Sequence, residues 1–136
     1  MIFAGFGFRR SATLASLKDA LAQAAAASKT AMSTRSVTLL ATAHDKATAP
    51  CLRALAEELG LPVHAVQATQ LNATLTLTNS VRVRAWRGSG STAEAAALAA
   101  ALAHVGPGAM LLQPRAVSTD RLATCAFAAL APPRKT

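Results

Sequence analysis

Short apolar runs alternate along this chain with longer segments of helical spacing, and that alternation restricts the folds open to it more than any single residue does. Met1 to Phe6 reads as a buried strand, and Ser11 to Ala27 as a helix with Leu14, Leu17, Leu21 and Ala24 on one face. Val37 to Ala41 is a second strand. Thr48 caps a helix that carries Pro50 in its first turn, runs to Leu59 and stops at Gly60. Pro62 to Val66 follows as a strand. In Ser80 to Arg87, Val81, Val83 and Ala85 alternate with Arg82, Arg84 and Trp86, the pattern of a half-buried strand. Ser91 to His104 is an alanine-rich helix closed by Gly106, Pro107 and Gly108. Ala109 to Gln113 is a further strand, and a segment within Leu122 to Leu130 is strand or helix. Such alternation predicts an α/β fold: a parallel or mixed sheet, helices on both faces, and one three-layer domain over residues 1–136.

The partner's sign follows from the charge. The chain carries +8 at neutral pH, and ten of its fourteen cations are arginine, whose planar fork grips carboxylate and phosphate through two bonds. No apolar run approaches the ~20 residues that span a bilayer, so no membrane segment is expected. Arg9 and Arg10 follow the apolar start instead of preceding it, against the order of a secretory signal, and a cytoplasmic protein is expected. Cys51 and Cys125 match no metal spacing and read as small core or near-core thiols. His64 and His104 stand on separate elements and read as structural; neither a metal nor a cofactor is expected.

Three loops carry candidate chemistry. The first is GFGFRRS, Gly5 to Ser11. A Rossmann fingerprint needs a third glycine where Arg10 stands, and no Gly-Lys-Ser/Thr follows. What the stretch offers is a glycine turn (Gly5, Gly7) and a helix N-terminus at Ser11, with Arg9 and Arg10 beside it as anion ligands. The second, Ala41 to Pro50, sets His44, Asp45 and Lys46 between a strand and a helix, with Asp45 as a candidate acid or base. The third runs from Arg87 to Leu98. Ser89, Gly90, Ser91 and Thr92 deliver backbone amides and hydroxyls to a helix start beside Arg87. There Ser91 and Glu94 form a capping box, which accounts for Glu94 structurally and leaves catalysis as its other reading. In a parallel sheet these loops gather at the strands' carboxyl ends, the edge where ligands bind.

The order of these pieces resembles CobE and the C-terminal domain of CbiG, a family of cobalamin (vitamin B12) biosynthesis. The resemblance covers nearly the whole chain and rests on GFGFRRS, on LLATAHDKATAPCLRALAEELGLPVHAV with ATQL after it, on GSGSTAEAAALAAA and on MLLQPR. It implies an α/β/α fold and work on corrin intermediates between precorrin-5 and later steps. Full-length CbiG proteins open a lactone on a cobalt-precorrin, and they carry an N-terminal half that these residues do not include. Family members often have cysteine where Phe8 stands, an acidic residue soon after Lys46, and a lysine near Gln113 to Arg115. Those departures weigh against an enzyme with a conventional acid–base pair. They leave binding of the intermediate, with or without a step such as ring-lactone opening or its transfer, as the expectation.

The expected ligand is therefore a corrin or precorrin intermediate. Arg9, Arg10, Lys46 and Arg115 would pair with its carboxylates, and other enzymes of the pathway are candidate partners. A basic nucleic-acid-binding module is the alternative, with Arg82 and Arg84 as its best feature. Scattered cations, scarce aromatics and the absence of a helix-turn-helix, RNP or zinc pattern argue against it.

Overall fold

The computed structural model describes residues 2–27, 37–71, 92–112 and 115–130. Strand β1 (Ile2–Phe8) leads through α1 (Leu14–Ala27) to β2 (Val37–Ala43), then through a short 3₁₀ turn (His44–Lys46) and α2 (Pro50–Leu59) to β3 (Val63–Val66). Helix α3 (Thr92–Val105) is followed by β4 (Ala109–Leu111), β5 (Ala116–Val117) and β6 (Ala123–Leu130). Among the described residues the six strands make one mixed sheet in the order β3-β2-β1-β6-β4, with β5 paired to β6. β1, β2 and β3 are parallel, whereas β6 runs antiparallel to β1, β4 and β5. The expected α/β sheet is thus of the mixed kind. The strand proposed over Ser80 to Arg87 lies outside the described residues.

Strand alternation divides the core into two layers. Ala4 and Phe6 of β1, with Cys125 and Phe127 of β6, face α1 and α2 through Leu17, Leu21, Leu52 and Leu55. Phe3, Leu39, Ala41 and Ala128 face α3 on the other side. Burial pushes the Cys125 thiol well above its ordinary range, consistent with an inert core residue. Thr42 is fully buried on the sheet, and its hydroxyl donates to the Phe6 carbonyl at 3.0 Å.

The helix boundaries follow local chemistry. Pro50 opens α2, but the residue before the helix is Ala49 and no side chain caps it, so Thr48 does not have the expected role. Gly60 ends α2 at φ 67°, its amide and that of Leu61 reaching back to the last-turn carbonyls. Helix α1 begins at Leu14 rather than Ser11. Thr13 Oγ1 accepts the Ser16 amide at 3.3 Å while Ser16 Oγ accepts the Thr13 amide at 3.1 Å, a reciprocal cap.

The glycine turn is the larger correction. Gly5 and Gly7 lie inside β1, and neither has a positive φ. What they supply is room for α3. A Cβ on Gly5 would stand 2.1 Å from the Ala93 carbonyl oxygen and 2.4 Å from the Ala97 nitrogen. Gly5 is buried at that helix–strand contact and offers no surface to a ligand.

The two histidines read as structural stand on separate elements, and the fold brings them together. Helix α3 runs back over the sheet from Gly5 toward Phe3. That course brings His104 onto the Phe3 ring at 5.6 Å between centroids, and edge-on to His64 of β3 at 5.4 Å. They are neighbours, although forty residues separate them in sequence. Burial, with the His104 charge as a second cause, holds the His64 imidazole below its ordinary value of 6.5. The folded state therefore binds this proton less readily than the unfolded chain. The stabilising difference is complete above pH 6.5 and is lost as pH falls below it. Lowering pH from about 7.5 to about 5.5 is expected to depress the thermal midpoint, and His64→Gln to flatten that dependence. Identical slopes for the two proteins would remove the assignment.

Candidate functional site

The carboxyl ends of the parallel strands gather the polar loops at one sheet edge. β1 ends at Phe8, from which the chain turns through Arg9 to Ala12, the Ala12 amide donating to the Arg9 carbonyl at 3.0 Å. β2 ends at Ala43, and the 3₁₀ turn then presents Asp45 and Lys46. Because β6 is antiparallel to β1, with Phe8 opposite Ala123, the turn joining β5 to β6 arrives at this same edge. The Arg9 amide donates to the Leu122 carbonyl at 2.9 Å and ties the two loops together.

Among the described residues three concavities share Phe8. One, of about 260 Å³, lies on the α3 side and is lined by Gly7, Arg9, Thr92, Arg121 and Thr124. A second, of about 270 Å³, adds Asp45, Lys46 and Leu71 to Gly7 and Thr92. The third, of about 450 Å³, reaches toward α2 between Arg10, Asp45, Lys46 and Cys51. Lys46 Nζ donates to the Phe8 carbonyl at 3.1 Å and stands 5.3 Å from the ring centroid, so its ammonium is fixed against the aromatic ridge. Arg9 and Arg10 are exposed, and among the described residues neither guanidinium has a carboxylate within salt-bridge distance. The edge thus combines an apolar ridge with cations on both sides of it, a surface suited to anions carried on an apolar body.

The structure brings together Gly7, Arg9, Arg10, Asp45, Lys46 and Thr92. It does not bring the others. Gly5 is under α3, Ser11 sits exposed in the turn, and His44 is exposed and lines none of the three concavities. Glu94 is 2% exposed within the α3 layer, where its carboxylate accepts the Arg115 amide at 3.3 Å and lies 4.0 Å from the Arg115 guanidinium. Arg115 is thereby committed to the start of α3. Arg87, Ser89, Gly90 and Ser91 lie outside the described residues, as do Arg82 and Arg84.

Sequence reasoning missed the β5–β6 turn. Ser118 Oγ donates to Asp120 Oδ1 and Ser16 Oγ to Asp120 Oδ2, each at 2.6 Å, and the Leu122 amide adds a bond to Oδ1 at 3.0 Å. These donors, the Ser118 hydroxyl foremost, hold the Asp120 carboxyl below the usual carboxylate range. The signal was the STDR string itself, since serine, threonine and aspartate bond their own backbone in turns.

The residues matched by known proteins coincide with this architecture. The model of the family described as "Cobalamin synthesis G C-terminus" matches residues 2–128. The chain belongs to that family. No curated protein matches it. Among solved structures of similar proteins, CobE, a protein from the cobalamin (vitamin B12) biosynthetic pathway, is 31% identical with a TM-score of 0.80, over 98% of this chain and 93% of that one. The cobalamin biosynthesis protein chiG of Agrobacterium tumefaciens is 34% identical with a TM-score of 0.70, over 97% of this chain and all of that one (100%). A cobalamin biosynthesis protein G homologue of Sulfolobus solfataricus shares the fold at 15% identity and a TM-score of 0.61, this chain spanning 36% of its length. This chain is thus a cobalamin biosynthesis family protein, and among its described residues no helix is long and apolar enough to cross a membrane.

Proposed function

We propose that this protein binds a polycarboxylate corrin intermediate of the cobalamin pathway at the Phe8 edge. One observation carries the reading: Arg9, Arg10 and Lys46 flank an aromatic ridge at the carboxyl ends of β1 and β2, and no ion pair to Arg9 or Arg10 occurs among the described residues. Corrin precursors are broad apolar macrocycles fringed with carboxylates. Such a ligand rests its ring on Phe8 and sets its fringe against the arginines. Asp45 is the carboxylate beside this surface and the residue placed for proton transfer, should a chemical step accompany binding.

A spectroscopic titration with hydrogenobyrinic acid tests the reading. A saturable shift near one equivalent is expected for the native protein. Arg9→Ala combined with Arg10→Ala is expected to weaken it at least about 100-fold, since each charge-assisted bond contributes about 1.5–3 kcal/mol and two are lost. The thermal midpoint of the double variant should stay close to that of the native protein, because both side chains are exposed. Equal affinity in the double variant would overturn the assignment of the surface. Product analysis in the same mixtures separates carriage of the intermediate from its conversion.

A further inference from the structure

Arg121 is the one non-glycine residue with a positive φ among the described residues, at 61°. A long side chain adopts that conformation at a cost, and asparagine or glycine is the usual occupant. Here the surrounding turn imposes it. The Arg121 amide donates to the Ser118 carbonyl at 2.9 Å, and the Ser118 amide to the Ala123 carbonyl at 2.9 Å. The neighbouring Asp120 is held by two serine hydroxyls and the Leu122 amide, and the buried Ser118 hydroxyl also accepts the Ala123 amide at 3.1 Å. Both Asp120 oxygens are engaged in this way, and no salt bridge to Arg121 occurs among the described residues.

The product of this arrangement is an exposed guanidinium on the 260 Å³ concavity that Arg9 also lines. The floor there is Gly7, which keeps the space beside Thr92 and Thr124 open. A positive φ that a turn enforces on a long side chain is the kind of strain that accumulates at binding sites.

We infer that Arg121 and Arg9 form a second carboxylate seat on the α3 side of Phe8, separate from the seat of Arg10 and Lys46. This inference rests on the reading of the Phe8 edge as a polycarboxylate site and adds that the ligand is gripped from both sides of the ridge. Two seats on one rigid ligand raise affinity together more than either does alone.

Arg121→Asn and Arg121→Gly separate this role from a structural one. Both residues accept a positive φ, so the thermal midpoint is expected to hold or rise. Titration with hydrogenobyrinic acid should show affinity about tenfold weaker in both. Arg121→Lys keeps the charge and should fall between native and asparagine. Native affinity in the asparagine and glycine variants overturns the inference. If the Arg9 and Arg10 double variant is still weakened in that case, the parent reading of the edge survives. Native affinity in all of them, or no binding by the native protein, overturns both. A lowered midpoint with unchanged affinity also overturns it, marking Arg121 as part of the turn alone.

Discussion

Gly5→Ala is expected to cost at least about 3 kcal/mol of folding stability, enough to unfold a marginal domain. The added Cβ would stand 2.1 Å from the Ala93 carbonyl oxygen, 2.4 Å from the Ala97 nitrogen and 2.8 Å from the Ala97 Cβ. Two of these atoms are backbone, so no rotamer change relieves the overlap. Relief requires lifting α3 from the sheet, and α3 buries every residue from Ala93 to Ala101. Overpacking in cores costs about 1–3 kcal/mol when side chains can shift, and a contact with helix backbone belongs at the top of that range or above it. Gly7→Ala serves as the control. Its Cβ would meet Thr124 Oγ1 at 3.0 Å and the Ala93 nitrogen at 3.4 Å, and the threonine can turn, though it then gives up its 3.2 Å bond to the Gly7 carbonyl. About 1 kcal/mol is expected there. Urea unfolding of the two variants measures the difference. A Gly5→Ala protein within 1 kcal/mol of native stability would mean that α3 does not sit this close to β1.

The same glycines show how far the sequence can be read. Period-2 spacing puts Gly5 and Gly7 on one face of a strand, and the alanine-rich helix that packs on them is itself plain in the sequence. Nothing local, however, links residues ninety positions apart, so the pair reads equally well as a turn. Elements defined by their own neighbours emerged correctly: α2 with Pro50 at its start and Gly60 at its stop, the strands over Val37 and Val63, the alanine helix. Features made by long-range pairing did not. β5 has two residues, too few for any periodicity, and without it β6 could not be told from a helix. His64 and His104 meet only because α3 crosses the sheet toward Phe3. The candidate site divides the same way. Arg9, Arg10, Asp45 and Lys46 follow strand ends and were legible from the α/β rule, whereas Arg121 enters through the antiparallel hairpin that the rule does not anticipate.

Glu94→Ala is the second large effect, expected at about 2–4 kcal/mol. The carboxylate is 2% exposed in the first turn of α3, where the helix dipole favours a negative charge. Burial of a charge is tolerated only with donors around it, and the Arg115 amide at 3.3 Å and guanidinium at 4.0 Å are among them. Alanine removes that acceptor, leaves the Arg115 amide to find water, and opens space in the layer. Arg115 itself is partly exposed and regains solvent, which keeps the loss below that of a fully buried pair. Glu94→Gln retains an acceptor of the same shape and should cost about 1 kcal/mol. Glu94 lines none of the concavities around Phe8, so both variants, where folded, should titrate with hydrogenobyrinic acid as the native protein does. The glutamine variant decides between the two readings of this residue. If it unfolds at the native midpoint yet loses binding or a product-forming step, Glu94 belongs to the chemistry. A native titration alongside the predicted loss in the alanine variant leaves it as the clamp that seats α3 beside Arg115.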